Sequence, residues 1–327
     1  MEQVKLSLLD TEITIKFIKD TFERELAKAL SLTRVSAPLF VFPETGLNDN
    51  LNGYERAVRF DILDLKKEVE IVQSLAKWKR MALHKYGFEV GKGLYTDMNA
   101  IRRDETLDCL HSVYVDQWDW EKIIDRSDRT ISYLKKTVRK IYKVLLKVAD
   151  KVAKAYPAVK HDLPKEITFI STAELEKAYP DLTRKERETA ITKAHGAVFL
   201  YKIGWDLKDG KPHDGRAADY DDWKLNGDLL LWHEPLSIAM EISSMGIRVD
   251  EKSLVKQLKK RKELSKLEND YCKAVVESKL PLTIGGGIGQ SRLCMYILNK
   301  THIGEVQASV WSEDCIKENA QKGVNLL

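Results

Sequence analysis

The sequence predicts an α+β fold in which an antiparallel β-sheet is flanked by helices. Segments whose apolar residues alternate, as in half-buried strands, are mixed with segments whose apolar residues recur at helical spacing. The two kinds of segment do not follow the regular strand–helix–strand order of a doubly wound parallel sheet. With 327 residues, 43% of them hydrophobic, the chain can bury the core of one large domain or two small ones.

The individual elements are located by the spacing of apolar residues and by breaks at proline and glycine. Helical spacing predicts helices at residues 11–30, 75–85, 131–154, 173–179, 184–195, 252–278 and 292–298. Alternation predicts strands at residues 34–41, 57–63, 69–73, 112–120, 197–201, 228–232 and 242–249. Pro38 interrupts the first strand, and because proline lacks the N–H that a ladder needs, this segment is expected at a sheet edge or a special join.

The composition argues against several classes of protein. Acidic and basic residues nearly cancel, to a net charge of +4, so no strong field towards nucleic acid is expected. The sequence contains no run of about 18 consecutive apolar residues, so it predicts no membrane span. Four widely spaced cysteines are typical of reduced cytosolic thiols, and they are Cys109, Cys272, Cys294 and Cys315. We therefore expect a soluble cytoplasmic protein without a membrane or nucleic-acid partner.

A glycine-rich segment at residues 283–292 predicts a strand that turns into a helix. Four glycines between residues 285 and 289 let a ligand approach the backbone, and the helix start presents free N–H groups to an anion. Gln290 and Ser291 stand where a dinucleotide fingerprint or a P-loop requires other residues. Arg292 opposes the helix dipole, which a bound anion would compensate. From this segment alone, an anion site and a tight turn with a solvated arginine both remain open.

A second polar segment begins at Arg102 and ends in the predicted strand at residues 112–120. Since alternate residues of a strand share a face, Gln117, Asp119 and Glu121 are expected on one side. Three acceptor-bearing side chains in a row are typical of a pocket wall. A solvated edge strand explains the same pattern equally well.

Together these two segments resemble motifs of the class II aminoacyl-tRNA synthetases. Residues 285–293 are similar to the third motif, whose arginine contacts ATP, which implies that Gly287 and Arg292 bind ATP. The segment from Arg102 is similar to the second motif, whose arginine holds the α-phosphate, and His111 would then lie near the ATP-binding loop. Leu32 to Leu39, with Pro38, is similar to the first motif, which implies a homodimer.

Further residues follow from the same resemblance. Gln73, Ser74 and Lys79 resemble a pattern of the aspartyl enzymes that binds an aspartate carboxylate, although its proline and second glutamine are absent. Glu241 stands on a strand similar to the one whose glutamate holds Mg²⁺ on ATP. Asp228 is the candidate second ligand, because hard oxygen donors suit this ion. For both carboxylates a half-solvated strand is the competing interpretation.

A closer resemblance concerns the reaction itself. Residues 45–53, 77–80, 111–121 and 219–223 look like those of ammonia-dependent asparagine synthetases. The similarity spans nearly the whole chain and leaves no room for an anticodon-binding domain, so a single catalytic domain of residues 1–327 is expected. Residue 2 is glutamate rather than the exposed cysteine with which glutamine-using enzymes release ammonia, which favours free ammonia as the nitrogen donor.

The resemblance implies two chemical steps. The β-carboxylate of L-aspartate attacks the α-phosphate of ATP, with Arg102, Arg292 and Mg²⁺ offsetting charge, and β-aspartyl-AMP and pyrophosphate form. Ammonia then displaces AMP and gives L-asparagine. Asp49 would take a proton from bound ammonium and Gln117 would orient the reactants. The amino acid would be held by Ser74, Lys79, Asp119, Asp221, Ser244 and Arg248.

Two other functions remain open from the residues alone. A paralogue of the tRNA synthetases would pass an activated acyl group to a macromolecular acceptor, and a catalytically inactive relative would only sense an amino acid. The segment around Asp49, read by itself, is also typical of a solvated turn. The joint presence of Arg102, Glu241 and Arg292 favours an enzyme, because a sensor of amino acids has no use for triphosphate contacts.

Overall fold

An eight-stranded sheet forms the centre of the computed structural model, which describes residues 6–49, 51 and 55–327. In spatial order its strands are β1 (Leu32–Arg34), β5 (Gly93–Ile101), β6 (Tyr114–Ile123), β11 (Thr283–Gly289), β10 (Ile238–Arg248), β9 (Asp221–His233), β8 (Ala197–Tyr201) and β7 (Thr168–Ser171). A three-stranded sheet contains β2 (Phe40–Val41), β4 (Lys67–Ile71) and β3 (Arg59–Ile62). Part of the predicted loop at residues 45–53 lies outside the described residues.

The large sheet is mixed, which corrects the expectation of a purely antiparallel one. Its six inner strands pair antiparallel, but β1 runs parallel to β5 and β7 runs parallel to β8. Parallel neighbours need a long crossover connection. The whole small sheet and a helix separate β1 from β5, and two helices separate β7 from β8. The long connections were visible in the sequence, but the pairing partners of these edge strands were not.

Helices cover the sheet, and the longest two pack against each other on one face. They are α1 (Leu8–Leu30) and α3 (Ile131–Ala155), and the others are α2 (Ala76–Lys85), α4 (Thr172–Ala178), α5 (Arg184–His195), α6 (Glu251–Arg261), α7 (Asp270–Val276), α8 (Gln290–Ile297) and α9 (Glu313–Gln321). Phe22 of α1 stacks on Trp118 of the sheet, with ring centroids 4.8 Å apart. None of the described helices is long and apolar enough to span a membrane.

Several predicted boundaries were wrong, each for a local reason. The predicted strand at residues 34–41 is split by Pro38 into β1 and β2, which belong to different sheets. The predicted helix at residues 252–278 breaks at Lys262, which has a left-handed backbone, and α7 begins afresh where Asn269 caps it. The strands β5 and β7 and the helix α9 were not predicted.

The glycine-rich segment forms the central strand β11 and continues directly into α8. Its register places Gly285, Gly287 and Gly289 opposite Glu121, Asp119 and Gln117 of β6. A Cβ atom on Gly285 would lie 1.9 Å from Glu121 Oε2, and one on Gly287 would lie 2.2 Å from Gln117 Oε1. These glycines are therefore required because polar side chains of β6 lie directly over the neighbouring backbone.

Candidate active site

A deep cleft opens over the middle of the sheet, between α2, the loop after Arg102 and the start of α8. It encloses about 1020 Å³, part of it open to solvent. Most of the predicted site residues line it, namely Ser74, Lys79, Arg102, His111, Gln117, Asp119, Asp221, Glu241, Ser244, Arg248, Gly287 and Arg292. Asp49 and Asp228 are buried but do not line the cleft.

At one end of the cleft, a lysine from a helix meets a carboxylate from the sheet. Lys79 Nζ lies 2.9 Å from Asp119 Oδ2 and donates to the carbonyl oxygen of Gly286 at 3.0 Å. Burial lowers the pKa of Lys79, and the charge of Asp119 only partly opposes this effect. Asp119 Oδ1 is buried without a hydrogen-bond partner among the described residues. This end of the cleft therefore offers an ammonium group and a free carboxylate oxygen to a ligand.

Beside this pair lies a buried group that we call the arginine cluster, made of Arg248, Glu121 and Asp221. Arg248 Nε and Nη2 donate to the two oxygens of Glu121 at 2.9 and 2.7 Å, and Nη1 donates to Asp221 Oδ1 at 2.5 Å. Burial alone would raise the pKa of Glu121, but the charge and hydrogen bonds of Arg248, together with the charge of Lys79, lower that pKa overall. These contacts use one N–H on each guanidinium nitrogen, so each of Nη1 and Nη2 retains one for a ligand.

The middle of the cleft carries positive charge from two further arginines. Arg102 Nε is buried and has no hydrogen-bond partner in the described part of the chain. Arg292 Nη1 donates to the carbonyl oxygen of Glu241 at 3.2 Å, which leaves its charge without an acidic partner in that contact. His111 lies at the rim, where its Nδ1 is 2.9 Å from Asp108. Guanidinium groups with free N–H donors are suited to phosphate oxygens.

The predicted metal ligands lie on neighbouring strands, with an arginine between them. Arg216 forms a short ion pair with Asp228 Oδ2, while Asp228 Oδ1 is buried and unpartnered among the described residues. Burial raises the pKa of Asp228 to about 7, against the effect of Arg216, and the nearby charge of Glu241 adds to the rise. Within residues 6–49, 51 and 55–327, no group of three or more His, Cys, Asp or Glu side chains is arranged to hold a metal ion.

Asp49 belongs to a second buried ionic group, the lysine cluster, made of Asp49, Lys77, Asp219 and Lys266. Lys77 Nζ lies 3.3 Å from Asp219 Oδ2, and Lys266 Nζ lies 3.9 Å from the same oxygen. Burial raises the pKa of Asp49 to about 6, where the charge of Lys77 opposes and that of Asp219 reinforces the rise. Asp49 Oδ2 and Asp219 Oδ1 are both buried without a described partner.

The lysine cluster is next to the cleft rather than inside it. Tyr220 lines the cleft, and its pKa is raised by burial and then by the charge of Asp49. Leu51, two residues after Asp49, also lines the cleft, and its backbone N–H donates to Asp49 Oδ1. Asp49 is therefore a neighbour of two residues that line the cleft.

The motifs assigned no role to several residues that the fold places in or beside the site. Glu121 was expected on the polar face of its strand but was not assigned to a ligand. Lys77 of α2 contacts Asp219, whereas Lys79 contacts Asp119. Arg216 and Asp219 are paired with acidic and basic residues that are distant in sequence. Gln307, which lines the cleft, follows a segment without any recognisable motif. Asp219 begins the segment at residues 219–223 that resembles asparagine synthetases, but no local signal would have found Arg216 or Gln307.

Comparison with known families finds relatives over nearly the whole chain. The profile of the family described as aspartate-ammonia ligase matches residues 9–323. Aspartate–ammonia ligases from Bacillus cereus, Bacillus thuringiensis and Bacillus anthracis are each 59% identical to the chain over 323 residues, which is 98% of this chain and 99% of each relative.

Solved structures with a similar fold are more distant in sequence. The asparaginyl-tRNA synthetase from Pyrococcus horikoshii complexed with asparaginyl-adenylate superposes with a TM-score of 0.67, at 16% identity, over 92% of this chain and 70% of that one. A putative aspartyl-tRNA synthetase from Leishmania major superposes with a TM-score of 0.65, at 12% identity, over 93% of this chain and 65% of that one. At these identities the likeness shows the fold alone.

Proposed function

We infer the roles of the cleft residues from one premise, that the chain belongs to the aspartate–ammonia ligase family. The protein makes L-asparagine from L-aspartate and ammonia in a reaction that consumes ATP. What remains to be proposed is the chemical route and the residues that carry it. The observation that supports them best is the presence in one cleft of the Lys79–Asp119 pair and the unpartnered buried Arg102 Nε.

In the first step, aspartate lies at the end of the cleft formed by Lys79, Asp119 and Arg248. Asp119 Oδ1 accepts from the ammonium group of the substrate, and Lys79 with the remaining N–H groups of Arg248 holds its carboxylates. Ser74, Asp221 and Ser244 complete the walls of this seat. The β-carboxylate then attacks the α-phosphate of ATP, so that a bond to phosphorus forms and pyrophosphate leaves. The products of this step are β-aspartyl-AMP and pyrophosphate.

Two arginines stabilise the charge that develops on the phosphates during this attack. Arg102 Nε already lies buried without a partner, so binding a phosphate oxygen satisfies it without breaking another contact. Arg292 reaches the same region from the start of α8, with Gly287 in the strand before it and His111 at the rim. We assign these residues to ATP binding.

Mg²⁺ fits the two carboxylates assigned to it, although only one of them lines the cleft. Glu241 faces the ATP region, and Asp228 Oδ1 is a buried oxygen without a described partner. Mg²⁺ typically uses one or two carboxylates and completes its shell with phosphate oxygens and water. Bound there, it would neutralise part of the phosphate charge.

In the second step, ammonia attacks the activated carbonyl carbon and AMP leaves. Ammonium is not a nucleophile, so a base must remove a proton first. Asp49 is suited to this task because its pKa, raised to about 6, lets it ionise near neutral pH and still hold a proton firmly. The proton goes to Asp49 Oδ2, and Gln117 orients the acyl carbonyl.

The chain's organisation remains part of the proposal. We place residues 1–327 in a single catalytic domain and in the cytoplasm, as the sequence suggests, where the four cysteines stay free thiols. A homodimer is supported by two features of the described residues. The strand β1 pairs only with β5 and so leaves a sheet edge open, and α1 exposes Leu8, Leu9 and Ile13. Sedimentation measurements test the dimer directly.

Two substitutions separate the proposed steps. Arg102→Ala should abolish both aspartate-dependent pyrophosphate exchange and asparagine formation, whereas Asp49→Asn should keep the exchange and lose amide formation. Arg103→Ala is the matched control, because that neighbouring side chain is exposed and does not line the cleft. Exchange that survives in Arg102→Ala would remove this residue from the first step, and loss of both reactions in Asp49→Asn would make Asp49 a binding residue.

The nitrogen donor and the acyl acceptor are tested with the wild-type protein. Products are analysed after incubation with aspartate and ATP together with ammonium chloride, glutamine or tRNA. Asparagine, AMP and pyrophosphate formed with ammonium alone support the proposed route. Turnover that requires tRNA would instead indicate transfer to a macromolecule, and aspartate binding without turnover under all three conditions would indicate a sensor.

A further inference from the structure

A glutamine near the C-terminal end of the chain has an oxygen atom that no described group satisfies. Gln307 is 6% exposed and lines the cleft, and its Oε1 is buried without a hydrogen-bond partner. Buried polar atoms without a partner are uncommon in native proteins and call for an explanation. Because this atom belongs to the wall of the cleft, a ligand in the cleft can supply the missing donor.

The orientation of the Gln307 amide follows from the chemistry of its neighbours. Nε2 lies 3.3 Å from Asp116 Oδ1 and 3.1 Å from Ser291 Oγ. Asp116 is ion-paired with Lys19 and therefore only accepts, while the single hydroxyl proton of Ser291 is donated to Asp116 at 2.8 Å. Both neighbours thus require the NH₂ side of the amide. A flipped amide would place its oxygen against two acceptors, so Oε1 is held as an outward acceptor.

The register of the sheet tells which part of a nucleotide reaches this atom. Asp119 pairs with Gly287, Gln117 pairs with Gly289, and the strand β11 then continues into α8, where Ser291 lies. Along β6, Asp116 is three residues from Asp119, about 10 Å towards the N-terminal end of the strand, and its side chain is on the other face of the strand. An acyl-adenylate is an extended molecule with the amino acid at one end and the base at the other. With aspartate at Asp119, the base lies towards Gln307.

The walls of the cleft suit a flat heterocycle. Three apolar side chains, Leu110, Ile242 and Ile303, line the cleft, as does Arg292. A planar guanidinium stacks on aromatic faces. Among these groups, Gln307 contributes a polar atom of fixed direction, which is the arrangement by which small-molecule sites obtain specificity.

We propose that Gln307 Oε1 accepts a hydrogen bond from the exocyclic amine of the ATP base and thereby selects adenine over 6-oxopurines. Adenine presents an N–H donor at this position, whereas guanine and hypoxanthine present an oxygen acceptor. A 6-oxopurine would place its oxygen against Oε1 and leave both atoms unsatisfied in a buried site. This assignment rests on the proposed function, because it takes ATP to be bound in this cleft.

The test measures kcat/KM for asparagine formation with ATP, inosine triphosphate and purine riboside triphosphate, which lacks the 6-amino group. The wild-type enzyme should prefer ATP over both analogues by about tenfold or more. In Gln307→Met the value for ATP should fall by about tenfold, to near that for purine riboside triphosphate, while the latter stays nearly unchanged. Once Gln307 is replaced, the 6-amino group of ATP should no longer increase kcat/KM.

Ser309→Ala is the matched control. Ser309 is on the same segment as Gln307, and its hydroxyl oxygen lies 2.7 Å from that of Ser112, but it does not line the cleft. Ser309→Ala should therefore leave the preference for ATP unaltered. A structural role for Gln307 would lower kcat/KM for all three nucleotides together and overturn the assignment.

Two further outcomes are decisive even if Gln307→Met does not fold. Equal use of ATP and inosine triphosphate by the wild-type enzyme would overturn the assignment without any variant. Absence of asparagine formation by the wild-type protein with every nucleotide would overturn the proposed function and the role of Gln307 with it.

A normal wild-type reaction whose ATP preference persists in the variant would overturn the role of Gln307 alone.

Discussion

The arginine cluster and the lysine cluster are both buried groups of opposite charges, yet they differ in how completely their atoms are paired. In the arginine cluster the guanidinium of Arg248 bonds Glu121 through two nitrogens and Asp221 through a third. In the lysine cluster the nearest ion pair is 3.3 Å long, and one oxygen of Asp49 and one of Asp219 have no described partner. In one group every guanidinium nitrogen is bonded to a carboxylate, whereas in the other two carboxylate oxygens have room for a donor.

The difference teaches where rigidity is needed in this site. In the proposed site, aspartate must be held in one orientation for its β-carboxylate to reach ATP, and Arg248 of β10, bonded to Glu121 of β6 and to Asp221 of β9, would fix that seat. A proton acceptor must instead keep an affinity for protons that lies near the working pH. An incompletely paired buried carboxylate such as Asp49 has this property, at a cost in stability.

Breaking the arginine cluster should have the largest effect on stability. Arg248→Met leaves Glu121, which is fully buried, without its partner, so the free energy of unfolding should fall by about 3–5 kcal/mol. Urea denaturation measures this change. The control Arg59→Met removes an ion pair whose arginine is 56% exposed and should cost no more than about 1 kcal/mol. Equal losses in the two variants would show that the arginine cluster adds no special stability.

Breaking the lysine cluster should cost less stability and should also change the pH dependence of asparagine formation. Asp219→Asn leaves Lys77 buried without its ion pair, and we expect a loss of roughly 2–3 kcal/mol, since this ion pair is longer than those of Arg248. The charge of Asp219 raises the pKa of Asp49, so its removal should lower that pKa. The acidic limb of asparagine formation should therefore move to lower pH. A limb that moves to higher pH would contradict the coupling.

The unpaired Asp49 should destabilise the protein at neutral pH. Its folded pKa, about 6, is above the usual carboxyl value, so ionising it disfavours the folded state, and stability is lost as pH rises towards and through 6. Asp49→Asn mimics the protonated form and should raise the free energy of unfolding by roughly 1–3 kcal/mol at pH 8. At pH 4 this gain should vanish. A variant that is equally stabilised at both pH values would refute the titration of Asp49 as the cause.

Replacing Lys266, at the border of the lysine cluster, should have the smallest effect on stability. Lys266 is 39% exposed and lies 3.9 Å from Asp219, so Lys266→Met should change the free energy of unfolding by less than about 1 kcal/mol. Its charge lowers the pKa of Asp49, so the acidic limb of asparagine formation should move slightly upwards. Shifts in the opposite direction, or a loss as large as that of Asp219→Asn, would place Lys266 at the centre of the cluster instead.

Predictions from the sequence were most accurate where the chemistry is local. The strand β8 and the helix α5 have the predicted bounds, and the polar face of β6 was recognised from alternation alone. The long helix predicted at residues 252–278 was wrong because single residues such as Lys262 can adopt a left-handed backbone that apolar spacing does not reveal. The roles of the site residues stay predictions that the proposed variants test.

By itself the sequence determined the α+β class, most elements and the two motifs that bring arginines and glycines to one cleft, because these depend on neighbours along the chain. Only the tertiary structure decided the parallel edges of the sheet, the pairing of Lys77 with Asp219 and the direction of the Gln307 amide. Lys77 and Asp219 are 142 residues apart, and Gln307 and Asp116 are 191 apart. Contacts at such separations exist only once the sheet has fixed its register, and burial then gives each unpaired atom its energetic weight.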